Sequence, residues 1–445
     1  MSSSSEKGDF ISIVERDQSG IITAEYRQQG NQNIVQVHQV VQSNSLQPQA
    51  ISHIQNIINI FLPAGYPKSV TDDYLDGDLA VGFEDSNAST TAAVLLKIVQ
   101  DSIGRVATIL FAHRLGSSLE PECKRFRFAA DIFNDSALIV DCLSPVFPKP
   151  LRVVLLSTAG TLRALCGVAG GGSKAQLSVH FSKWGNVAEL NAKDSSQETV
   201  ISLMGMLMRA DQTLRVKAGS LVISSVTSKT ATWASMLFLI AVHLWTNYRA
   251  VKAVTMVTLN RQRANSVMST FAETGVMLTP KDVARQERIF ERDGVLRWCD
   301  GAVVGWGVIG TKLSSIVARK SASGSLSLAE VAKACPTEQY MLWFGDKLRD
   351  IRVCICLENG CTPAGQFRAW MHGLLSAKLL SDRRSQAVTE SDALRALVDA
   401  KRQLDGIFEE FLEKAAEAGW DTGDPQLETS SSYRYERTKL QQKNL

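Results

Sequence analysis

Two carboxylates one helical turn apart in an apolar stretch have the most chemical potential in this chain. Asp131 and Asp135 stand among Ile132, Phe133, Ala137, Leu138, Ile139 and Val140, with Asn134 between them and Asp141 beyond. A spacing of four places both on one face of a helix. Carboxylates in such surroundings need partners, and Arg105, Arg163 or Lys193 could supply them as ion pairs. The sharper reading is a polar seam inside a membrane bundle, where ionisable side chains tend to be functional. Both readings use the same contacts.

The most polar and glycine-dense part of the central region runs from Cys166 to Glu198. Gly170, Gly171 and Gly172 read as a loop between two packed helices, and a helix start after them could offer amides to an anion. Gly167-x4-Gly172-Ser173-Lys174 imitates a phosphate-binding loop with its last two residues reversed. That order takes the ammonium off the phosphates and the hydroxyl off magnesium. Gly305-Trp-Gly307-Val-Ile-Gly310 matches a dinucleotide fingerprint, and Glu330 lies at the distance of a ribose-binding acid. The neighbouring sequence lacks the alternating strands and helices of a parallel sheet, so a glycine-rich loop is expected. Six histidines occur without a recognisable nucleophilic constellation, and no enzymatic activity is expected. Cys354-x-Cys356, with Cys361 behind, points two thiols to one face of a strand. Zinc favours two intervening residues and a second ligand pair, so no metal is expected.

The 445 residues are enough for two or three domains. With 48 basic against 45 acidic side chains, the balance gives no nucleic-acid surface. Eight cysteines without paired spacing, and no secretory apolar run after Met1, point to a reducing, intracellular setting.

The elements that would position these residues follow from periodicity. Residues 1–50 are rich in Ser, Gln and Asn and read as a flexible segment, loosely held after Gln28. Within it, two β-prone runs, 10–16 and 21–27, flank Asp17-Gln-Ser-Gly20 as a hairpin that adds to a sheet elsewhere. Residues 61–74 form a rigid extended connector with two prolines. A helical core occupies 51–278, a charged connecting helix and glycine-rich loop 279–334, and an α+β domain 335–445. In that last domain 340–344 and 352–357 read as strands. Thr362 and Pro363 open one helix, Gly419 closes a second, and 433–437 is a last strand.

The membrane question turns on residues 230–248, which carry no formal charge and have Trp233, Trp245 and Tyr248 near the ends. Thr230, Thr232, Ser235, His243, Thr246 and Asn247 dilute that stretch, so a buried helix of a soluble bundle fits as well. Residues 200–208 and 218–226 are cut apart by the charged 209–217, and 151–168 are interrupted by Arg152 and Arg163. Lys252, Arg261 and Arg263 place the C-terminal side in the cytosol by the positive-inside tendency. The expected fold class is mainly α: a helical, membrane-associated bundle followed by a small α+β C-terminal domain.

Several motifs together resemble one family. They are Phe61-Leu-Pro-Ala-Gly-Tyr-Pro-x-Ser-Val with Asp73-Tyr74, Gln100-Asp-Ser-x-Gly-Arg105, Ala130-Asp-Ile-Phe-Asn-Asp135, Ala192-Lys-Asp-Ser-Ser-Gln-Glu198 and Asn247-Tyr-Arg-Ala-Val251. Over residues 50–275, with an echo ending at Ala418-Gly-Trp420, the chain is similar to the Root UVB Sensitive family, whose shared region in fungi is the vitamin B6 photo-protection and homoeostasis domain. Residues 75–84 are shorter than the family pattern, and 209–217 read as an insertion.

The resemblance implies a mostly helical, membrane-associated protein linked to UV-B responses and vitamin B6 status, whose members pair with one another. It brings no established reaction. It extends the candidate seam from Asp131, Asn134 and Asp135 to Asp101, Arg105, Lys193, Gln197, Glu198, Asn247 and Arg249. The leading expectation is a non-enzymatic scaffold or transport-related factor at a membrane, without a cofactor. A second is a soluble pyridoxal-phosphate-binding protein or enzyme, with Lys193 for the aldehyde and the Gly170–172 amides for the phosphate.

Overall fold

A computed structural model describes residues 10–17, 22–29, 35–39, 91–210, 228–313, 338–345, 351–383, 389–430 and 432–438. The 61–74 connector, the short 75–84 segment and the 209–217 insertion, apart from the end of a helix at 210, lie outside them. The chain is mainly helical with a smaller strand-containing part, and it divides into a helical unit, 89–112 with 122–255, and a sheet unit built from the rest.

The helical unit contains Thr91–Leu115 up to residue 112 (α1), Cys123–Leu143 (α2), Lys149–Phe181 (α3), Val187–Ala210 (α4) and Lys229–Ala253 (α5). Pro150 sits in the first turn of α3, where its missing N–H costs nothing. The Ser228 hydroxyl caps α5 by accepting from the Ala231 N–H at 3.1 Å.

Helix α3 corrects the reading of the triple glycine, which is neither a loop nor a helix start. Gly170–172 lie inside a continuous helix of 33 residues. A Cβ on Gly170 would lie 3.6 Å from that of Ala130 on α2, and one on Gly104 of α1 would lie 3.6 Å from that of Ala164. Close packing of that kind offsets the roughly 1 kcal/mol per residue that glycine costs a helix interior.

Among the described residues, α3 is the helix long and apolar enough to cross a membrane by length and composition. The 230–248 stretch, in α5, does not reach that level. Its hydroxyls, amide and imidazole dilute it, as the sequence warns.

In the sheet unit, Phe10–Arg16 (β1) and Ile22–Gln29 (β2) pair antiparallel as the expected hairpin. Their tip lies outside the described residues. The hairpin joins a larger sheet, since β1 pairs with Arg434–Thr438 near the C-terminus. Val35–Gln39 (β3) adds to β2, so this part of the segment after Gln28 is a strand rather than a loose tail. Glu15 is buried on the hairpin's inner face, where its carboxylate accepts from the Tyr26 hydroxyl at 3.1 Å and the Leu313 N–H at 3.0 Å.

The remaining elements are Thr258–Asn260 (β4), Arg261–Thr274 (α6), Pro280–Gln286 (α7), Val295–Arg297 (β5), Val303–Ile309 (β6), Tyr340–Phe344 (β7), Arg352–Glu358 (β8), Pro363–Asp382 (α8), Glu390–Glu417 (α9), Asp421–Gln426 (β9) and Arg434–Thr438 (β10). The sheet runs β3-β2-β1-β10-β8-β6-β5, with β7 also on β8. Strands β6 and β10 lie parallel to β8, and β7 antiparallel. Val353, Ile355 and Leu357 of β8 are buried under α8, whose fully buried face includes Phe367, Trp370, Met371 and Leu374. Strands β7, β8 and β10 and helices α8 and α9 fall where the spacing predicts. Thr362 caps α8 by accepting from the Gly365 N–H, and Gly419 after α9 has φ +91°.

The 279–300 stretch departs from expectation. Its helix stops at Gln286, and the chain turns into β5. Strand β6 holds residues 305–309 of the glycine-rich motif, which is therefore not a loop, and Gly310 follows it with φ +74°. A Cβ on Gly305 would stand 2.6 Å from the Ile351 carbonyl oxygen, and one on Gly307 would meet Leu296 and Trp370 at 3.0 Å. These glycines admit backbone and indole, not a nucleotide. Gly305→Ala is expected to lower the stability of this unit by about 1–3 kcal/mol, read as a drop in the denaturant midpoint.

Two charges counted in the orientation argument are structural. Arg261 and Arg263 are buried, paired with Asp293 at 2.7 Å and Glu287 at 2.8 Å. They hold α6 inside the sheet unit. The Cys356 thiol is also buried, donates to the Thr311 carbonyl at 3.3 Å, and is pushed up to about 12 by burial. Among the described residues no group of three His, Cys, Asp or Glu is placed to hold a metal ion.

Candidate functional site

Helix α2 is amphipathic in an unusual sense, because its buried residues include charged ones beside Phe126, Phe128, Ala130 and Ala137. Arg127, Asp131 and Asp135 recur every four residues and so form one stripe. Asp131 and Asp135 are 9% and 6% exposed. Ala130 and Ala137 are buried beside them and let α3 approach closely.

The carboxylates are held differently. Asp135 Oδ2 lies 2.8 Å from His243 Nδ1 on α5. Asp131 Oδ1 accepts from Arg127 Nη1 at 3.2 Å, whereas Asp131 Oδ2 is buried without a hydrogen-bond partner among the described residues. Burial holds the Asp131 carboxyl above its ordinary value, and Asp135 adds to the rise, against the opposing pull of Arg127 and His243. Cys166 of α3 is within electrostatic reach of Arg127 and both carboxylates. Phe128 and Tyr248 close the α2–α5 contact edge to face, with centroids 5.6 Å apart.

The rest of the expected seam does not converge here. Asp101 and Arg105 of α1 are exposed, and Asn134 points away from the buried stripe into solvent. Arg163 pairs with Asp141. Lys193 and Gln197 are exposed on α4, and Glu198 on the same helix meets Lys174 of α3 at 3.6 Å, beside the Lys174–Asp194 pair at 2.5 Å. Arg249 is exposed, its guanidinium 5.9 Å from the centre of the Trp245 ring, and Asn247 is half-buried. The partners expected for Asp131 and Asp135, Arg105, Arg163 or Lys193, are thus replaced by Arg127 and His243.

The pyridoxal-phosphate arrangement does not assemble. The Gly170–172 amides lie inside α3, where the helix's own carbonyls take them, and Lys193 is exposed on α4.

Sequence reasoning missed Arg127 and His243. Arg127 carried a signal, since it stands four residues before Asp131. His243 stood out only as a polar residue in an apolar helix, and nothing local named its partner 108 residues away.

Comparison with known proteins matches both units. A model of the vitamin B6 photo-protection and homoeostasis domain covers residues 79–275, and a model of the Root UVB sensitive protein C-terminal region covers 277–435. RUS family member 1 of Dictyostelium discoideum is 35% identical over 260 residues, spanning 52% of this chain and 47% of that relative. Protein root UVB sensitive 3 of Arabidopsis thaliana is 26% identical over 401 residues, 83% of each chain. Protein root UVB sensitive 2, chloroplastic, of the same plant is 23% identical over 394 residues, 83% of this chain and 82% of the relative. No solved structure matches. The buried Asp131–Asp135–His243 cluster lies within the first matched domain, the second follows it almost without a gap, and the chain belongs to the Root UVB Sensitive family.

Proposed function

We propose that this chain is a non-enzymatic, membrane-associated protein acting as a scaffold or transport-related factor in vitamin B6 homoeostasis and protection from light stress. The observation that carries the reading is the surface of the helical unit. Large apolar side chains stand in the open on α1 (Val106 55%, Leu110 53%), α4 (Ile201 70%, Met204 58%) and α5 (Phe238 67%, Leu239 64%, Trp245 61%). Extended apolar surface of this kind marks a membrane or partner face. The vitamin B6 link rests on the family description of residues 79–275.

The test is alkaline carbonate extraction. The full chain is expected to stay with the membrane pellet, and release into the supernatant would sink the membrane reading. One relative is named chloroplastic, so organellar membranes are the first fraction to examine.

A further inference from the structure

We propose that His243, Asp135 and Asp131 form a proton-binding site, in which the exposed imidazole takes a proton from solvent and loads it onto the buried carboxylates. The inference rests on the transport-related reading above and deepens it by naming the ion that such a factor would couple to.

The side chains fall along a gradient of exposure. The His243 side chain is 45% exposed, whereas the side chains alone of Asp135 and Asp131 are 8% and 12% exposed. The outermost group is therefore an imidazole, which can gain or lose a proton at a ring nitrogen. It touches the next group directly, at 2.8 Å between Nδ1 and Asp135 Oδ2. Asp135 and Asp131 are neighbours one turn apart on α2.

Charge explains why a proton fits. Arg127 supplies one positive charge against two carboxylates, Cys166 on α3 adds no charge as a thiol, and a neutral His243 leaves the cluster at net minus one. A single proton brings it to neutrality. The buried Asp131 Oδ2, which no group among the described residues satisfies, is where that missing proton would be held. Carboxylates that crowd one site share protons in this way.

The transfer is simple to balance. An imidazolium protonated on both nitrogens breaks its Nδ1–H bond as an O–H bond forms on Asp135 Oδ2. The products are a neutral imidazole that keeps its Nε2 proton and a neutral carboxyl. Passage to Asp131 breaks that O–H bond and forms another, and no other atom changes partner.

The test is infrared difference spectroscopy of the full chain in detergent, titrated with pH and read at the carbonyl stretch of a protonated carboxylic acid. A band is expected to persist to higher pH than exposed aspartates allow, because burial favours the protonated Asp131 carboxyl. Asp131→Asn should abolish it. His243→Gln, at an exposed position, should shift its titration upward by about one pH unit or more, because no imidazolium then opposes the carboxyl's proton. Far-UV circular dichroism checks that both variants are folded. The proposal is overturned by the absence of such a band, or by a band that neither substitution moves. Carbonate extraction is scored separately. A chain retained in the pellet but lacking the band refutes the proton site alone, and a released chain with the band refutes the membrane reading alone.

Discussion

Arg263→Met is expected to destabilise the sheet unit by about 3–5 kcal/mol, a large share of the ~5–15 kcal/mol that holds a typical domain together. Arg263 is 2% exposed and ties four points of the fold. Its Nη1 meets Glu287 Oε1 at 2.8 Å, its Nε donates to the Thr258 carbonyl at 2.7 Å, its Nη2 reaches the Thr258 hydroxyl at 3.5 Å, and its backbone N–H donates to the capping Asn260 Oδ1 at 2.9 Å. The substitution keeps the backbone bond and most of the side-chain volume. It leaves the 7% exposed Glu287 without this counter-charge in a place water barely reaches. Glu287→Gln should cost less, about 1–3 kcal/mol, because the amide still accepts a hydrogen bond. The double change Arg263→Met with Glu287→Leu should recover most of the loss. Urea unfolding followed by tryptophan fluorescence reads all three, and a loss under about 1 kcal/mol for Arg263→Met would show that the pair is not buried in solution.

That arginine also shows where local sequence reading stops. Arg261 and Arg263 follow the uncharged 230–248 stretch of α5, and by proximity alone they count as flanking charges. Their roles are set by Asp293, Glu287 and Leu427, which meet them only through tertiary folding. The same holds for the carboxylate site. Asp131 and Asp135 were legible because a four-residue repeat among apolar neighbours is a local signal, but the histidine that completes the site comes from another helix. Glycine misled for a physical reason. It marks turns when conformation decides its use, but Gly170 and Gly305 are there for space, one against Ala130 of α2 and one against the Ile351 carbonyl. Space requirements belong to the neighbour, which sequence does not name. The hairpin at 10–29 and strands β7, β8 and β10 were readable because their alternation, caps and turns are all local. The parallel pairing of β6 and β10 with β8 was not, since it joins segments far apart in the chain.

Acid is expected to weaken the sheet unit through one fully buried side chain, His372. A carbonyl oxygen only accepts, so the 2.9 Å contact of Nε2 with the Leu397 carbonyl fixes the proton on Nε2. Nδ1 is then the bare nitrogen that accepts from the Tyr340 hydroxyl at 3.0 Å. This arrangement is complete only for a neutral ring. Burial drives the imidazole down to about 4 from its ordinary 6.5, and the Leu397 bond and nearby Glu338 only partly oppose that fall. As pH drops below about 6.5 the unfolded chain takes up this proton and the folded one does not, so stability falls by about 1.4 kcal/mol per pH unit until about pH 4. The total is about 3 kcal/mol, fully present above the upper limit and lost at the lower one. His372→Gln carries no titrating group and should flatten the stability curve across that window, while carboxylates elsewhere leave the same residual slope in both proteins. The difference between the two curves isolates the histidine. Equal slopes would mean that the ring charges inside the fold, with the Tyr340 hydroxyl turned to accept from a protonated Nδ1.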